Sequence, residues 1–133
     1  MIPGWSNGKD TAFDVTVTNP LQEALVRGAA TTPGHAAQEA HRRKLDKSWE
    51  PCHRQGIAFL PISVESLGAW HPTAVAELKK LGSALARHTG EDEGTTISRL
   101  FQKLSVCLMR GNAALFNNRN PPEEPAQRDK IVW

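Results

Sequence analysis

The amino-acid sequence predicts an α/β (α+β) domain in which a small mixed sheet is flanked by helices. Two runs rich in β-branched residues predict strands, TAFDVTVT (11–18) and IAFLPISVES (57–66). A segment with high helix propensity lies between them, and a strand–helix–strand order favours a right-handed crossover and a parallel or mixed sheet. Two strands do not form a stable sheet alone, so a further strand must come from the N-terminal segment, from elsewhere in the chain or from a second copy.

Composition limits the classes of protein to consider. The chain has 133 residues, 16 basic and 14 acidic side chains and a formal net charge of +2, which fits one mildly basic domain. Its two cysteines lie in unrelated contexts, which predicts neither a disulfide framework nor a zinc site. No membrane-spanning run, signal peptide or Gly-rich phosphate loop occurs. We expect an intracellular protein with no membrane attachment and no small-molecule cofactor.

The N-terminal half of the chain alternates between strands and helices. The first residues, MIPGWSNGKD, are rich in Gly and Asn and predict a loop. After the first strand, LQEALVRGAA predicts a short helix or turn, and the next segment predicts a helix from about His35 to Trp49. In the second strand Pro61 removes a backbone donor, so we expect a free edge or a bulge there.

Two further helices are predicted in the C-terminal half. HPTAVAELKKLGSALARHTG has Pro72 in its first turn, which suits a helix start, and GTTISRLFQKLSVCLMRGNAALFNN has Thr95 or Thr96 as candidate N-cap. The apolar spacing predicts buried stripes formed by Val75, Leu78, Gly82 and Leu85 in the first helix and by Ile97, Leu100, Phe101, Leu104, Leu108 and Leu115 in the second.

The end of the chain predicts a loose tail. Residues 118–133 are Pro-rich and polar, so we expect one domain over residues 1–117 followed by this tail. The five histidines show no metal-ligand spacing such as HExxH and are expected to be surface or capping residues.

The first strand has an acid, Asp14, in its middle, which strand propensity disfavours. Because side chains alternate across a strand, Asp14 shares a face with Thr16 and Thr18. This acid is either solvated or a metal ligand at the mouth of a site.

A lysine of the following helix can reach the strand. Ala37, Ala40 and Lys44 share one helix face, and the alanines let the helix lie close to a sheet. Two carboxylates and a lysine are the minimum for metal-assisted phosphodiester hydrolysis: Asp14 and Glu65 would hold Mg²⁺ or Mn²⁺, and Lys44 would stabilise developing negative charge. The structural alternatives are that Asp14 is a solvated strand acid, that Lys44 is a solvated helix cation and that Glu65 only ends a strand.

The order of these segments resembles a known family. The resemblance lies in three segments, IPGWSNGKDTAFDVTVTNPL, HRRKLDK and CHRQGIAFLPISVESLGAW. Through them the chain resembles a block in the restriction-endonuclease-like domain at the C-terminal end of eukaryotic retroelement reverse-transcriptase polyproteins. That domain belongs to the PD-(D/E)XK nuclease superfamily, and the resemblance covers about residues 2–116. It implies a restriction-endonuclease-like fold and a Mg²⁺- or Mn²⁺-dependent DNA endonuclease of a mobile element.

The resemblance also implies roles for individual residues. Asp14 matches the family's second acid, and Glu65 lies in VESLGAW, which is similar to the family's strand and Gly-turn segment. The family's lysine usually follows the second acid by two residues, where this chain has Thr16; in the retroelement branch it moves to the following helix, where Lys44 fits. The family's first acid lies on a strand upstream of IPGW, so the resemblance implies that this chain lacks one metal ligand, either because it is N-terminally incomplete or because the natural protein has lost that acid.

Three functional hypotheses remain open on the sequence. In an active endonuclease, DNA phosphates would be contacted by Arg42, Arg43 and Lys47, and the DNA substrate implies a nuclear location. Without the first acid, the chain would be a catalytically inactive nuclease-fold module for nucleic-acid binding, protein interaction or homodimer formation. The third hypothesis is a structural helical module unrelated to DNA.

Overall fold

A computed structural model describes residues 1–119 of the chain. It has three strands and four helices in this range, arranged as a mixed α+β fold with the sheet order β1-β2-β3. The predicted class, a small mixed sheet flanked by helices, is confirmed. In chain order the elements are β1 (Ile2–Ser6), β2 (Lys9–Thr18), α1 (Val26–Thr31), α2 (His35–Arg54), β3 (Ala58–Glu65), α3 (Pro72–Thr89) and α4 (Glu93–Arg119).

The third strand, β1, comes from the N-terminal stretch that the sequence predicted to be a loop. It pairs antiparallel with β2 through a two-residue turn in which Asn7 and Gly8 have φ of 50° and 78°. Positive φ at both positions is typical of a type I′ hairpin, for which Asn-Gly is the strongest sequence signal. The chain therefore supplies its own third strand, and the homodimer stays a prediction.

The second predicted strand, β3, pairs in parallel with β2 and lies at an edge of the sheet, as Pro61 predicts. The returning chain covers part of this edge: the Ser63 carbonyl accepts a hydrogen bond from the His71 N–H (2.9 Å), and the Glu65 N–H donates to Ala69 (2.8 Å). Strand β3 is largely buried although it is an edge strand, because α2 and α3 also pack against it.

Helix α2 packs on one face of the β2–β3 pair through alanine. Ala36 and Ala37 are fully buried and Ala40 is 1% exposed, so the helix lies close to the strands. It runs past the predicted end at Trp49 to Arg54 and contains Pro51, whose missing N–H removes one helical hydrogen bond. The helix ends at a glycine C-cap: Gly56 has a φ of 69°, its N–H donates to the His53 carbonyl, and the Ile57 N–H donates to the Cys52 carbonyl, both at 3.0 Å.

Helices α3 and α4 pack together on the other side of the sheet from α2. Gly82 is buried, and a Cβ built on it would lie 2.7 Å from Ile97 Cγ1 and 3.2 Å from Ile97 Cα, so this glycine allows the close helix contact. Two predicted core positions are wrong, since Leu85 and Leu115 are 40% and 57% exposed. No helix of residues 1–119 is long and apolar enough to cross a bilayer.

The start and end of α4 also differ from the prediction. Asp92, rather than either threonine, supplies the capping side chain: its Oδ2 accepts from the Thr95 N–H at 2.8 Å. The helix includes Asn118 and Arg119, which the sequence assigned to the tail. The rest of the predicted tail, residues 120–133, lies outside the described residues.

We expect Gly82→Ala to lower the free energy of unfolding by about 1–2 kcal/mol, because crowding against Ile97 exceeds the gain in helix propensity. Urea denaturation measures the change. Gly111→Ala is the matched control on α4: nothing lies within 4 Å of its added Cβ, so this variant should be more stable than the wild type. Equal stabilisation by both substitutions would contradict the tight α3–α4 contact.

Candidate active site between β2 and α2

Asp14 and Lys44 meet where α2 lies across β2. Lys44 Nζ is 2.8 Å from Asp14 Oδ2. Strand alternation puts Asp14 on the sheet face that α2 covers, and the buried Ala37 and Ala40 bring the helix near enough for the lysine to reach it. The lysine thus points at the strand as its helix face predicts, and the catalytic role of both residues stays a prediction.

The ion pair is accessible from solvent. The Asp14 and Lys44 side chains keep 36% and 34% of their exposure. An ion pair of this kind contributes only about 0–1 kcal/mol to stability, because water screens both charges. A carboxylate and an ammonium held together at an open position are chemically suited to a phosphodiester and its counter-cation.

Glu65 is not brought to this pair. Its Oε1 accepts hydrogen bonds from the N–H groups of Ala36 (3.0 Å) and Ala37 (3.3 Å), and the residue is 6% exposed. Asp14 is in register with Pro61, four positions before Glu65, so the two acids are about 13 Å apart along the strands. Glu65 anchors the first turn of α2, and its role as a metal ligand stays a prediction that this placement does not favour.

The three predicted phosphate-binding cations of α2 differ in their partners. Arg42 is paired with Glu39 (2.9 Å) and Asp46 (3.2 Å), and its hydrogen bond holds the pKa of Glu39 below the ordinary value. Arg43 and Lys47 are exposed and have no ion-pair partner among residues 1–119. These two cations are therefore the better candidates for contacts to a phosphate backbone.

Polar atoms are also buried between the sheet and α2. Thr16 Oγ1, Ser63 Oγ and His41 Nδ1 are buried and have no hydrogen-bond partner in the described structure. Thr16 and Ser63 are neighbours in the β2–β3 register, so their hydroxyls lie on the same face. Unpaired buried polar atoms cost about 1–3 kcal/mol each, and an ordered water is the usual way in which proteins satisfy them.

A stacked histidine pair joins α2 to the start of α3. The rings of His41 and His71 are 3.8 Å apart between centroids and 6° from parallel. His71 Nδ1 accepts from the Thr73 N–H (3.1 Å), so its Nε2 carries the proton and donates to Gln38 Oε1 (2.7 Å). His71 is thus a neutral N-cap of α3, as the expected capping role allows, but it is buried and not on the surface.

Acid is expected to destabilise the fold through this pair. Burial lowers the pKa of both His41 and His71, and the charge of a protonated His41 lowers the pKa of His71 further. Well above pH 6.5, the ordinary pKa of histidine, both side chains are neutral in the folded and in the unfolded chain. As the pH falls through 6.5 the unfolded chain binds protons that the folded chain does not yet bind, so the free energy of unfolding falls by up to about 1.4 kcal/mol per pH unit for each histidine.

Urea denaturation between about pH 7.5 and pH 5.5 measures this slope. The double variant His41→Gln/His71→Asn should have a shallower slope, because it removes both groups while Asn retains N-cap capacity. His88→Gln, at an exposed histidine near the end of α3, is the control and should keep the wild-type slope. An unchanged slope in the double variant would contradict the assignment.

The predicted divalent cation fits this site only if a substrate phosphate supplies further ligands and negative charge. No group of three or more His, Cys, Asp or Glu side chains within residues 1–119 could hold a metal ion. Mg²⁺ in phosphoryl-transfer sites is often held by one or two carboxylates, with water and substrate phosphate completing its shell, and Asp14 meets that minimum. The ammonium of Lys44 opposes a cation at Asp14, so the negative charge of a phosphate is needed to balance the site.

Comparison of the chain with protein-family models, with curated proteins and with solved structures finds no match. The function of the site is therefore inferred from its own geometry. Two features escaped the sequence-based prediction, the binding of Glu65 to the α2 terminus and the His41–His71 stack. The dipeptide His71-Pro72, which has an N-cap candidate before a first-turn proline, is the one local signal for the latter.

Proposed function

We propose that this chain is a metal-dependent DNA endonuclease-like domain of a mobile element that hydrolyses phosphodiester bonds. The observation that carries the proposal is the 2.8 Å approach of Lys44 to Asp14 from separate elements, at a position open to solvent. A strand acid and a helix lysine are the groups that the sequence predicted for this chemistry, and within residues 1–119 neither has an ion-pair partner other than the other.

The chain's own groups have distinct roles in this proposal. Asp14 offers carboxylate oxygens to Mg²⁺ or Mn²⁺, and the bound ion would polarise the phosphodiester and lower the pKa of a coordinated water. Lys44 donates to the phosphate oxygens on which negative charge develops during attack, and it holds the attacking water near the phosphorus. Arg43 and Lys47 contact neighbouring phosphates and position the strand.

The restriction-endonuclease-like identity of the fold belongs to the same proposal. It is supported by the β2–α2–β3 unit, in which parallel strands flank the helix and the acid precedes the lysine in the order that the resemblance implies. With DNA as substrate, the proposed location is the nucleus. Glu65, in this proposal, positions α2 and thereby Lys44.

A second candidate is a nuclease-fold module that binds nucleic acid without cutting it. The limited ligand set favours it, since residues 1–119 contain no group of three or more potential metal ligands, and Asp14 is already ion-paired with Lys44. The same module could pair with a second copy through the outer edge of β2. Strand β1 pairs with β2 no farther than Thr11, and beyond that point Val15 and Val17 are 66% and 52% exposed.

Nicking of supercoiled plasmid separates the two candidates. The endonuclease proposal expects open-circular product with Mg²⁺ or Mn²⁺ and none with chelator. Binding that weakens with salt but yields no product in any metal would support the second candidate and overturn the first. Absence of binding at about 50 mM salt would overturn both and leave a protein unrelated to nucleic acid.

A further inference from the structure

An exposed aromatic pair lies farther along α2 from the candidate active site. The indole of Trp49 and the imidazole of His53, one helical turn apart, are stacked with centroids 4.5 Å apart and planes 11° from parallel. Trp49 keeps 50% of its exposure, so a large part of the ring faces solvent. The stack restrains the indole, which lowers the entropy cost of placing another flat ring against it.

The pair borders a cleft between α2 and the β1–β2 turn. The cleft has a volume of about 280 Å³, and its lining includes Trp49, His53, Phe59 and three residues at the hairpin end, Ser6, Asn7 and Lys9. This volume lies near the lower limit for small-molecule pockets and suits one planar ring system. Aromatic side chains supply the stacking surface, and the polar turn supplies hydrogen-bonding groups at its rim.

The charges around the cleft favour a polyanion. Lys9 lies in the cleft lining and has no ion-pair partner among residues 1–119. The acids nearest Trp49 on α2 are both held in ion pairs, Asp46 with Arg42, which also binds Glu39, and Glu50 with Arg54. A phosphate near the aromatic pair therefore meets an unpaired cation, while the neighbouring acids of this helix segment are ion-paired.

The cleft is also close to the acid–lysine pair along the same helix. Trp49 follows Lys44 by five residues, which is about 7.5 Å of helix rise and about 140° around the helix axis. The two side chains therefore point to different sides of α2, and a strand must curve partly around the helix to reach both. A strand that places a phosphate at Lys44 can place an unpaired base from a few nucleotides farther along at the cleft.

We propose that Trp49 and His53 form a stacking site for an unpaired nucleobase beside the phosphate site of Asp14 and Lys44. The substrate class is then DNA with single-stranded or unpaired nucleotides at the bound position. Single-strand-binding proteins combine cationic grooves with exposed aromatic rings in this way. This inference rests on the proposed nucleic-acid function and adds the state of the substrate to it.

Two labelled oligonucleotides of equal length and charge test the site by fluorescence anisotropy, an oligothymidylate of about 20 nucleotides and an abasic strand with the same phosphates. The wild type should bind the oligothymidylate about tenfold more tightly. Trp49→Ala should lose this preference and bind the abasic strand as before, while Trp49→Phe, which keeps an aromatic ring, should retain most of it. Met109→Ala, at a 70% exposed position of α4, is the control and should behave as the wild type.

The outcomes distinguish this inference from the function on which it rests. Equal wild-type affinity for the two oligonucleotides, or equal losses for both in Trp49→Ala, would overturn the stacking site and leave the phosphate site intact. Weak affinity of Trp49→Phe, with wild-type urea denaturation, would overturn it as well. Failure of the wild type to bind either strand at about 50 mM salt would overturn the nucleic-acid function itself.

Discussion

Asp14→Asn is expected to slow metal-dependent plasmid nicking by at least about 100-fold, because the amide is a poor ligand for Mg²⁺ and the charge that attracts the ion is lost. Initial rates of open-circle formation at saturating Mg²⁺ measure this effect. DNA binding without metal should stay the same or strengthen, since the substitution removes a negative charge near the phosphate. If Asp14→Asn loses cleavage but still binds DNA, Asp14 acts in the cleavage step and not in DNA binding.

Lys44→Met should cause a loss of similar size, about 100-fold, because it removes the cation that stabilises charge on the phosphate while keeping a long apolar side chain against the sheet. Lys79→Met, at an exposed lysine of α3, is the matched control and should nick at the wild-type rate. The double variant Asp14→Asn/Lys44→Met should be little worse than either single variant, since groups that act together are not additive. Wild-type nicking by either single variant would exclude this pair as the active site.

Glu65→Ala is expected to lower the free energy of unfolding by about 3 kcal/mol, because the N–H groups of Ala36 and Ala37 are buried and lose their acceptor. Glu65→Gln keeps an acceptor oxygen but loses the charge that complements the helix dipole, so its loss should be about 1 kcal/mol. Urea denaturation gives both values. Glu23→Ala, at an exposed glutamate before α1, controls for loss of a surface acid and should be neutral.

The same variants decide between two roles for Glu65. If it positions α2, Glu65→Gln should keep most of its nicking activity under conditions where it is folded. If it holds a metal ion, Glu65→Ala should unfold at the wild-type urea concentration and still lose nicking at saturating Mg²⁺. The second result would revive the predicted metal role and contradict the anchoring role that the hydrogen bonds indicate.

Local chemistry made several elements of this fold predictable. Pro72 at the first turn and Gly90, with φ of 73° at the end, delimit α3 as their backbone preferences require. The sequence does not predict strand β1, because Pro3 and Gly4 have low strand propensity. The Asn7-Gly8 turn that pairs β1 with β2 is nevertheless a strong hairpin signal.

The candidate site was predictable only in part, because local patterns determine which face a side chain lies on but not which residue it contacts. Asp14 and Lys44 could be named because strand alternation and helix periodicity each determine a face. The partner of Glu65 could not be predicted, because its carboxylate accepts hydrogen bonds from backbone N–H groups, which no side-chain pattern reveals.

By itself, then, the sequence determined the alternation of strands and helices, the alanine face of α2 and the chemical types of the groups that this face and β2 carry, since propensity and periodicity act over a few neighbouring residues. Only the tertiary structure decided which of those groups meet. The parallel β2–β3 register and the path of α2 across it bring Lys44 to Asp14, leave Glu65 at the far end of the same face and stack His41 on His71. Each of these contacts joins separate elements, and its geometry depends on how the elements pack rather than on the residues next to it in the chain.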